Sequence, residues 1–327
     1  MKSLKKITLL ILVLSIFSLK PLLFSADNSK KLTIFYAANL ITSMNELMEE
    51  FKKTHPDTEI IAEPSGSVLA VKKITELNRN ADLIFVADYK LIDEMLAPKY
   101  ADWGIMLYRD PIVIAFTERS RYTNEINSGN WYKILARPDV KYGYANPNLA
   151  PIGYRALMVW QLADLYYNEK IGNKSVYDTL KEKCPEDYIR PDVSELIPTL
   201  ESMALDYLFV YQSTAEQHNL KFIRLPEEIN LSSEDCEYLY KKVSVTITNK
   251  KGATETIYGK PVIFAFTILK DAANRKAAID FVRLLLSEKG RSIMKQNFQP
   301  QIVPAPVIHK DKIPEELKEI TVLKTRS

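Results

Sequence analysis

The chain of 327 residues is poor in the side chains that carry most enzyme and cofactor chemistry. Its three His (His55, His218 and His309) are scattered at no metal-ligand spacing, so no zinc centre is expected. Two cysteines, Cys184 and Cys236, are too few for a disulfide scaffold; they leave open one bridge in an oxidising compartment or two isolated thiols. Nine Gly is a small number, and no Gly-rich phosphate loop of the nucleotide or dinucleotide type occurs. The 44 basic residues nearly cancel the 41 acidic ones, and the formal charge of +3 gives no basic footprint for nucleic acid. The longest apolar stretch, "ITLLILVLSIFSL", is short of the ~20 residues that a membrane span needs.

That stretch follows a basic "MKSLKK" and is closed by the small residues Ser25 and Ala26. Residues 1–26 therefore read as an export signal, with a mature chain starting near Asp27. An uncleaved membrane tether is the alternative. No Cys stands beside the cleavage region, so the usual lipid-attachment signal is missing.

What remains is ordinary globular composition, 46% hydrophobic and 26% charged, at a length that one core rarely serves. Two lobes are expected. Strand-like runs at 32–37, 58–64, 81–88, 111–117, 141–147, 206–212 and 260–269 alternate with helical periodicity at 40–53, 67–79, 154–169, 194–204 and 274–296. Such alternation predicts an α/β fold with largely parallel sheets. The tail from Lys310 is charged and interrupted by Pro, and is expected to fray.

In α/β sheets, ligands sit where strands end and helices begin. Four such junctions share one chemistry. Ala37-Ala38-Asn39 ends the first strand, with Asn39 placed as an N-cap; Ser65-Gly66-Ser67 ends the second. Ala150-Pro151-Ile152-Gly153 precedes a long helix, and Val193-Ser194-Glu195 opens a shorter one. Helix starts collect unpaired N–H donors and the positive end of the macrodipole, which suits an anion. Ser, Asn and Gly also cap helices for purely structural reasons, so no single junction decides anything. Four together, in an exported two-lobed chain without a catalytic constellation, point to a solute-binding protein.

Longer stretches carry a resemblance. "YADWGIMLYRDPIVIAFTERSRYTNEINSGNWYKILARPDVKYGYANPN", "GYRALMVWQLADLYY", "STAEQHNLKFIRLPEEINL" and "GKPVIFAFTILKDAANRKAAIDFVRLLLSEKG" resemble the tungstate/molybdate-binding proteins of ABC transporters, over about Leu32 to Ile308. The resemblance implies a periplasmic-binding-protein fold, two α/β lobes closing on an oxyanion. Residues 27–115 and 263–312 would form one lobe and 116–262 the other, with strands 111–117 and 260–269 as hinge crossings and 313–327 as a tail. It also implies a membrane permease and an ATPase as partners, a monomer, and no cofactor beyond the molybdate or tungstate ligand.

The departures are specific. That family places an Asp in a motif resembling "NPN-x-D-P-x-G-Y-R", and a Glu in one resembling "DYxFEYxS", against a six-coordinate metal. Here those positions are Ala150 and Val210. Both changes bring the motifs closer to bacterial molybdate-binding proteins, which hold a tetrahedral anion by donors alone. A tetrahedral dianion presents only acceptors, and a carboxylate facing it repels unless it binds the metal directly. The resemblance thus implies the Ala150 backbone N–H and the Tyr211 hydroxyl as donors, with Asn39, Ser67 and Ser194 beside them. Ala38, Ser65, Val193, Val210 and Arg155 are secondary candidates, and no direct protein ligand to the metal is expected. Asn39 stands where both groups favour Ser. An altered ligand (sulfate, phosphate or a small organic acid) is the alternative reading, and an exported enzyme on the same scaffold is a second.

Overall fold

A computed structural model describes residues 31–169, 171, 173–248 and 252–322. The expected export signal lies outside them.

The chain builds a first lobe from β1 (Lys31–Ala37), β2 (Glu59–Ser65), β3 (Leu83–Val86) and β4 (Gly104–Arg109). It then crosses to a second lobe made of β5 (Ile112–Phe116), β6 (Tyr142–Ala145), β7 (Ile189–Arg190), β8 (Tyr207–Tyr211) and β9 (Lys221–Arg224). A hairpin, β10 (Ser244–Thr248) and β11 (Thr254–Tyr258), stands apart, and β12 (Ile263–Ile268) and β13 (Val307–Ile308) return to the first lobe. The first sheet has the order β13-β4-β12-β3-β1-β2 and the second β7-β6-β8-β5-β9. In the first, β1 pairs in parallel with β2 and β3, whereas β12 runs antiparallel to β3 and β4. In the second, β6 is parallel to β7 and β8, and β5 antiparallel to β8 and β9. Both sheets are thus mixed rather than largely parallel, because β5 and β12, the strands that enter each sheet from a crossing, run against their neighbours.

The lobe boundary falls earlier than expected. All of β5 pairs within the second sheet, so the first crossing is Asp110-Pro111 and not the strand 111–117. The second crossing ends before Ile263, since β12 lies wholly in the first sheet. At the crossing the two strands touch, Asp110 N–H donating to Val262 O at 3.4 Å.

Helices cover both faces of each sheet, which is why β1, β3 and β12 are near-continuous apolar runs. The first lobe carries α1 (Ile41–Lys52) and α2 (Ser67–Thr75). The second carries α3 (Trp131–Leu135), α4 (Pro151–Tyr167), α5 (Val176–Lys183), α6 (Ile197–Glu201), α7 (Gln212–Gln217), α8 (Glu227–Asn230) and α9 (Glu237–Tyr240). Back in the first lobe, α10 (Arg275–Leu286), α11 (Glu288–Gln296) and α12 (Glu315–Val322) close the chain. In α10 the buried Ala277, Ala278, Phe281, Val282 and Leu285 make one apolar stripe, and the Asn274 side chain caps it by accepting from Ala277 N–H. The helix α4 is instead buried on nearly every side, so it runs through the middle of the second lobe. Its start is tight: a Cβ at Gly153 would sit 2.2 Å from Ala145 O, so only Gly lets this turn close on the end of β6.

The described part of the C-terminal segment, to residue 322, does not fray as expected. Leu317 is 0% exposed and Ile313 is buried, so α12 is docked by its apolar side while its charges face solvent. Cys184 and Cys236 are both free thiols, the first buried and pushed up to about 12 by desolvation. No described helix is long and apolar enough to cross a membrane.

Candidate functional site

A cavity of about 300 Å³ lies between the lobes, at the carboxyl ends of β1, β2, β6 and β8. Its wall is drawn from the four junctions: Ala38 and Asn39, Ser65 to Ser67, Ala150 to Ile152, and Asp192 to Ser194, with Tyr211 at the end of β8.

Three of these junctions have open helix starts. The 3-10 turn Ala38–Leu40 leading into α1 has Ala37 at its N-cap, α2 has Gly66, and α4 has Ala150; none receives a side-chain cap. The expected N-cap role of Asn39 is therefore not met. Asn39 sits one residue inside the turn, where its Nδ2 donates to Tyr108 Oη at 3.1 Å and its carbonyl accepts from Gln299 Nε2 at 3.0 Å. A short 3-10 turn was inserted before the helix, which shifts the cap position back to Ala37.

The role expected of the Ala150 amide is also corrected. Ala150 lines the cavity, but its N–H donates to Asn146 O at 3.0 Å inside the turn that the Asn-Pro-Asn stretch forms. Pro151 has no N–H, so the first-turn donor of α4 without an intrahelical acceptor is that of Ile152, which also lines the cavity.

The hydroxyls divide by how they are held. Ser67 Oγ accepts from Ala87 N–H at 2.8 Å, which uses a lone pair and leaves the hydroxyl proton to donate. Ser65 Oγ is buried without a partner among the described residues. Such an orphan costs ~1–3 kcal/mol unless something in the cavity accepts from it. Tyr211 Oη accepts from Arg155 Nη1 at 2.8 Å, so its proton too is free to donate. Burial raises the Tyr211 phenol and keeps it neutral.

Two secondary candidates lie outside the wall. Val210 points into the core of the second lobe, the alternation of β8 turning its side chain away from Tyr211. Arg155, 1% exposed, lies behind the wall, where it contacts Ala87 O at 2.6 Å and faces Asp88.

The fourth junction differs. Ser194 lines the cavity, but its N–H is taken by Asp192 Oδ1 at 3.1 Å, the side chain capping the turn Val193–Glu195. Asp192 thus puts a carboxylate on the wall, and desolvation raises it above the ordinary range despite the Ser194 N–H. Sequence reasoning missed it. An Asp directly before Val193-Ser194-Glu195 is a preferred N-cap, and that rule was signal enough. Glu201, Thr214, Gln217 and His218 also line the cavity and were missed as well. Among the described lining residues none is Lys or Arg, so charge on a bound anion would be met by dipoles and hydroxyls rather than by a paired cation. No group of three or more His, Cys, Asp or Glu able to hold a metal ion occurs among the described residues.

Residues 32–298 match the family model described as bacterial extracellular solute-binding protein. A molybdate/tungstate-binding protein of Pyrococcus abyssi is 42% identical over 329 aligned positions, covering 92% of each chain. An uncharacterized solute-binding protein of Petrotoga mobilis is 39% identical, covering 98% of each. Among solved structures, the periplasmic molybdate-binding protein of Azotobacter vinelandii superposes with a TM-score of 0.58 at 17% identity, over 82% of this chain and 98% of that one. A sulfate-binding protein of Mycobacterium tuberculosis does so with 0.60 at 12% identity, over 84% and 88%. These two likenesses speak to the fold: two α/β lobes with a cleft between them.

Proposed function

The chain belongs to the bacterial extracellular solute-binding protein family, and on that premise we propose that it is the exported component of an ABC importer that captures molybdate or tungstate as a tetrahedral oxyanion. The observation that carries this reading is the convergence of three side-chain-uncapped helix starts on one cavity that also holds an orphaned hydroxyl. Each helix start contributes about half a unit of positive charge and one or two N–H groups, an arrangement suited to a small anion rather than to an apolar solute. Ser65 Oγ, Ser67 Oγ and Tyr211 Oη supply further donors, and the first-turn amides of α2 and α4 complete the cradle. The second lobe closes over the first about Asp110-Pro111 and the segment before Ile263. Capture is a ground-state task; a membrane permease and its ATPase would take the ligand from the closed form, and no reaction is assigned to the cavity.

Size selection follows from fixed donors. A smaller anion of the same charge and shape leaves some of them unpaired, and each unpaired buried donor costs affinity. Calorimetry of the exported chain with molybdate, tungstate, sulfate and phosphate tests this. The expected result is sub-micromolar binding of molybdate or tungstate and sulfate weaker by at least ~100-fold, which is ~2.7 kcal/mol. Equal binding of sulfate, or heat only with a small organic acid, would replace the proposal with the altered-ligand reading.

A further inference from the structure

We propose that Arg155 is a positioning residue that ties lobe closure to the orientation of two ligand donors. The guanidinium stands on the second lobe, one turn into α4, and donates to the Ala87 carbonyl of the first lobe at 2.6 Å. The same Nη1 donates to Tyr211 Oη of the second lobe at 2.8 Å, and Nη2 lies 3.3 Å from Asp88 Oδ2 of the first. The N–H of the same residue, which belongs to the preceding peptide group, donates to Ser67 Oγ at 2.8 Å.

Ser67, Ala87, Arg155 and Tyr211 are thus linked in series, the Ala87 backbone covalently joining the bond to Ser67 and the bond from Arg155. The two end steps each fill a lone pair of a cavity hydroxyl, Ser67 Oγ and Tyr211 Oη, and neither takes up its proton. Ser67 and Tyr211 stand on opposite lobes, and both are left as donors toward the space between them. Arg155 polarises the Tyr211 hydroxyl directly, and by holding the Ala87 carbonyl it fixes the backbone whose N–H orients Ser67.

The path exists only when the lobes meet. Asp88 anchors it: Tyr154 Oη donates to Asp88 Oδ2 at 2.7 Å, and Lys260 Nζ of the second crossing lies 3.4 Å from Oδ1. Burial would push the Asp88 carboxyl up, and Lys260 and Arg155 outweigh it and hold Asp88 below the ordinary range. Here one nitrogen of the fork, Nη1, serves both Ala87 O and Tyr211 Oη, while Nη2 makes no hydrogen bond among the described residues and faces the Asp88 carboxylate as a charge; the shorter reach and point geometry of an ammonium do not hold both directions of the planar fork.

The affinity arm of this proposal rests on the oxyanion reading, and the closure arm does not. The test is calorimetry and stopped-flow binding of molybdate to wild type, Arg155→Lys, Arg155→Met, Tyr211→Phe and the Arg155→Met/Tyr211→Phe pair, with small-angle scattering of each empty protein. Arg155→Met is expected to lose at least ~10-fold in affinity, chiefly through faster release, with Arg155→Lys recovering part of it. In the Tyr211→Phe background the Arg155→Met loss should shrink by at least ~3-fold, because part of its action runs through that hydroxyl. The empty Arg155→Met protein should have a larger radius of gyration than wild type. Where Met takes one of its two cations from the buried Asp88 and the chain fails to fold, Arg155→Lys carries the test, since it keeps the charge and loses the fork. Affinity of Arg155→Lys and Arg155→Met within twofold of wild type, or fully additive losses, would overturn the proposal. If wild type itself binds no molybdate, the oxyanion reading fails, and the scattering comparison alone decides: an unchanged radius overturns the closure role.

Discussion

Gly66 of the first lobe and Ala150 of the second, the N-caps of α2 and α4, meet across the cleft with no room for a side chain on the former. A Cβ at Gly66 would come 2.4 Å from Leu149 O and 3.0 Å from Ala150 Cβ. The contact is backed by Leu69 N–H donating to Leu149 O at 3.1 Å, and by Lys72 Nζ reaching Asn148 O at 3.4 Å. Two helix starts of like polarity are thus pressed together, and an anion between them removes their mutual repulsion.

Gly66→Ala follows as a closure mutant. Gly66 has φ −58° and ψ 137°, which Ala adopts without strain, so the separate lobes are unharmed. The clash is with backbone of the other lobe and arises only on closing. Molybdate affinity should fall by at least ~10-fold, ~1.4 kcal/mol, while the empty protein melts within a few degrees of wild type. Calorimetry and a thermal melt check both halves; undiminished affinity would mean that the lobes close on the ligand in another arrangement.

Ser65→Ala and Ser67→Ala should behave oppositely in the empty protein. Ser65 Oγ is buried and unpartnered, so its removal should stabilise the empty chain by ~1 kcal/mol while weakening molybdate binding. Removing Ser67 Oγ orphans the Ala87 N–H, so that variant should lose both stability and affinity. Denaturant titration of each variant with and without molybdate reads the four numbers.

Much of this was legible in the residues, and the misses have distinct physical causes. Apolar runs such as "LTIFYA" and "VIFAFTIL" read as strands buried on both faces, and the small-residue junction after the first, Ala37-Ala38-Asn39, marks the cavity wall. What the residue pattern does not encode is where each backbone N–H goes. Asn39 reads as a cap until a 3-10 turn displaces it, and the Ala150 amide reads as free until Asn146 O takes it. The crossing was misplaced because β5 is apolar throughout, with no break between hinge and sheet, and only its pairing with β8 and β9 locates the boundary. In the C-terminal segment, Ile313 and Leu317 carry a docking face too sparse to stand out among charges.

Asp192→Asn should tighten binding. The Asp192 carboxylate lines the cavity and is raised by desolvation, and a dianion arriving beside it would raise it further. Asn keeps the capping oxygen for Ser194 N–H and removes the charge. Affinity at neutral pH is expected to rise by ~3–10-fold, and wild-type affinity to climb toward that of the variant as pH falls through the Asp192 range. A weaker Asp192→Asn protein would identify Asp192 as a direct ligand of the metal.

Asp110 makes the hinge sensitive to pH in the folded state alone. Its carboxylate accepts from Ser213 N–H at 3.0 Å and Ser213 Oγ–H at 2.5 Å. Burial nevertheless raises it from 3.8 to about 7. The folded protein therefore holds a proton here that the unfolded chain releases, so stability falls as pH rises from about 4 to about 7 and stays at the lower level above that. Asp110→Asn can accept from Ser213 N–H and donate to Ser213 Oγ, so it should remove this slope and be the more stable protein at pH ~8, by up to a few kcal/mol. Melting temperatures across that interval decide it; parallel curves for the two proteins would show that the proton is not taken up on folding.

Ala150→Asp tests the coordination itself. The side chain of residue 150 lies on the cavity wall at the start of α4, with its Cβ near Gly66. An ionised carboxylate there would face the oxygens of a tetrahedral dianion, and at an effective dielectric of about 20 two unit charges 4 Å apart already repel by ~4 kcal/mol. The helix start α4 would offset part of this by favouring a negative group at its N-cap. A net loss of ~10–100-fold in molybdate affinity is expected, with the X-ray absorption edge of the bound metal remaining that of a tetrahedral oxyanion. Retained affinity with a six-coordinate edge would mean that the carboxylate bonds to the metal and that the cradle accepts both geometries. Because Val210 faces the core instead of the cavity, no carboxylate arises from that position without turning β8, and Asp192 is a carboxylate already on the wall alongside an Asp at 150.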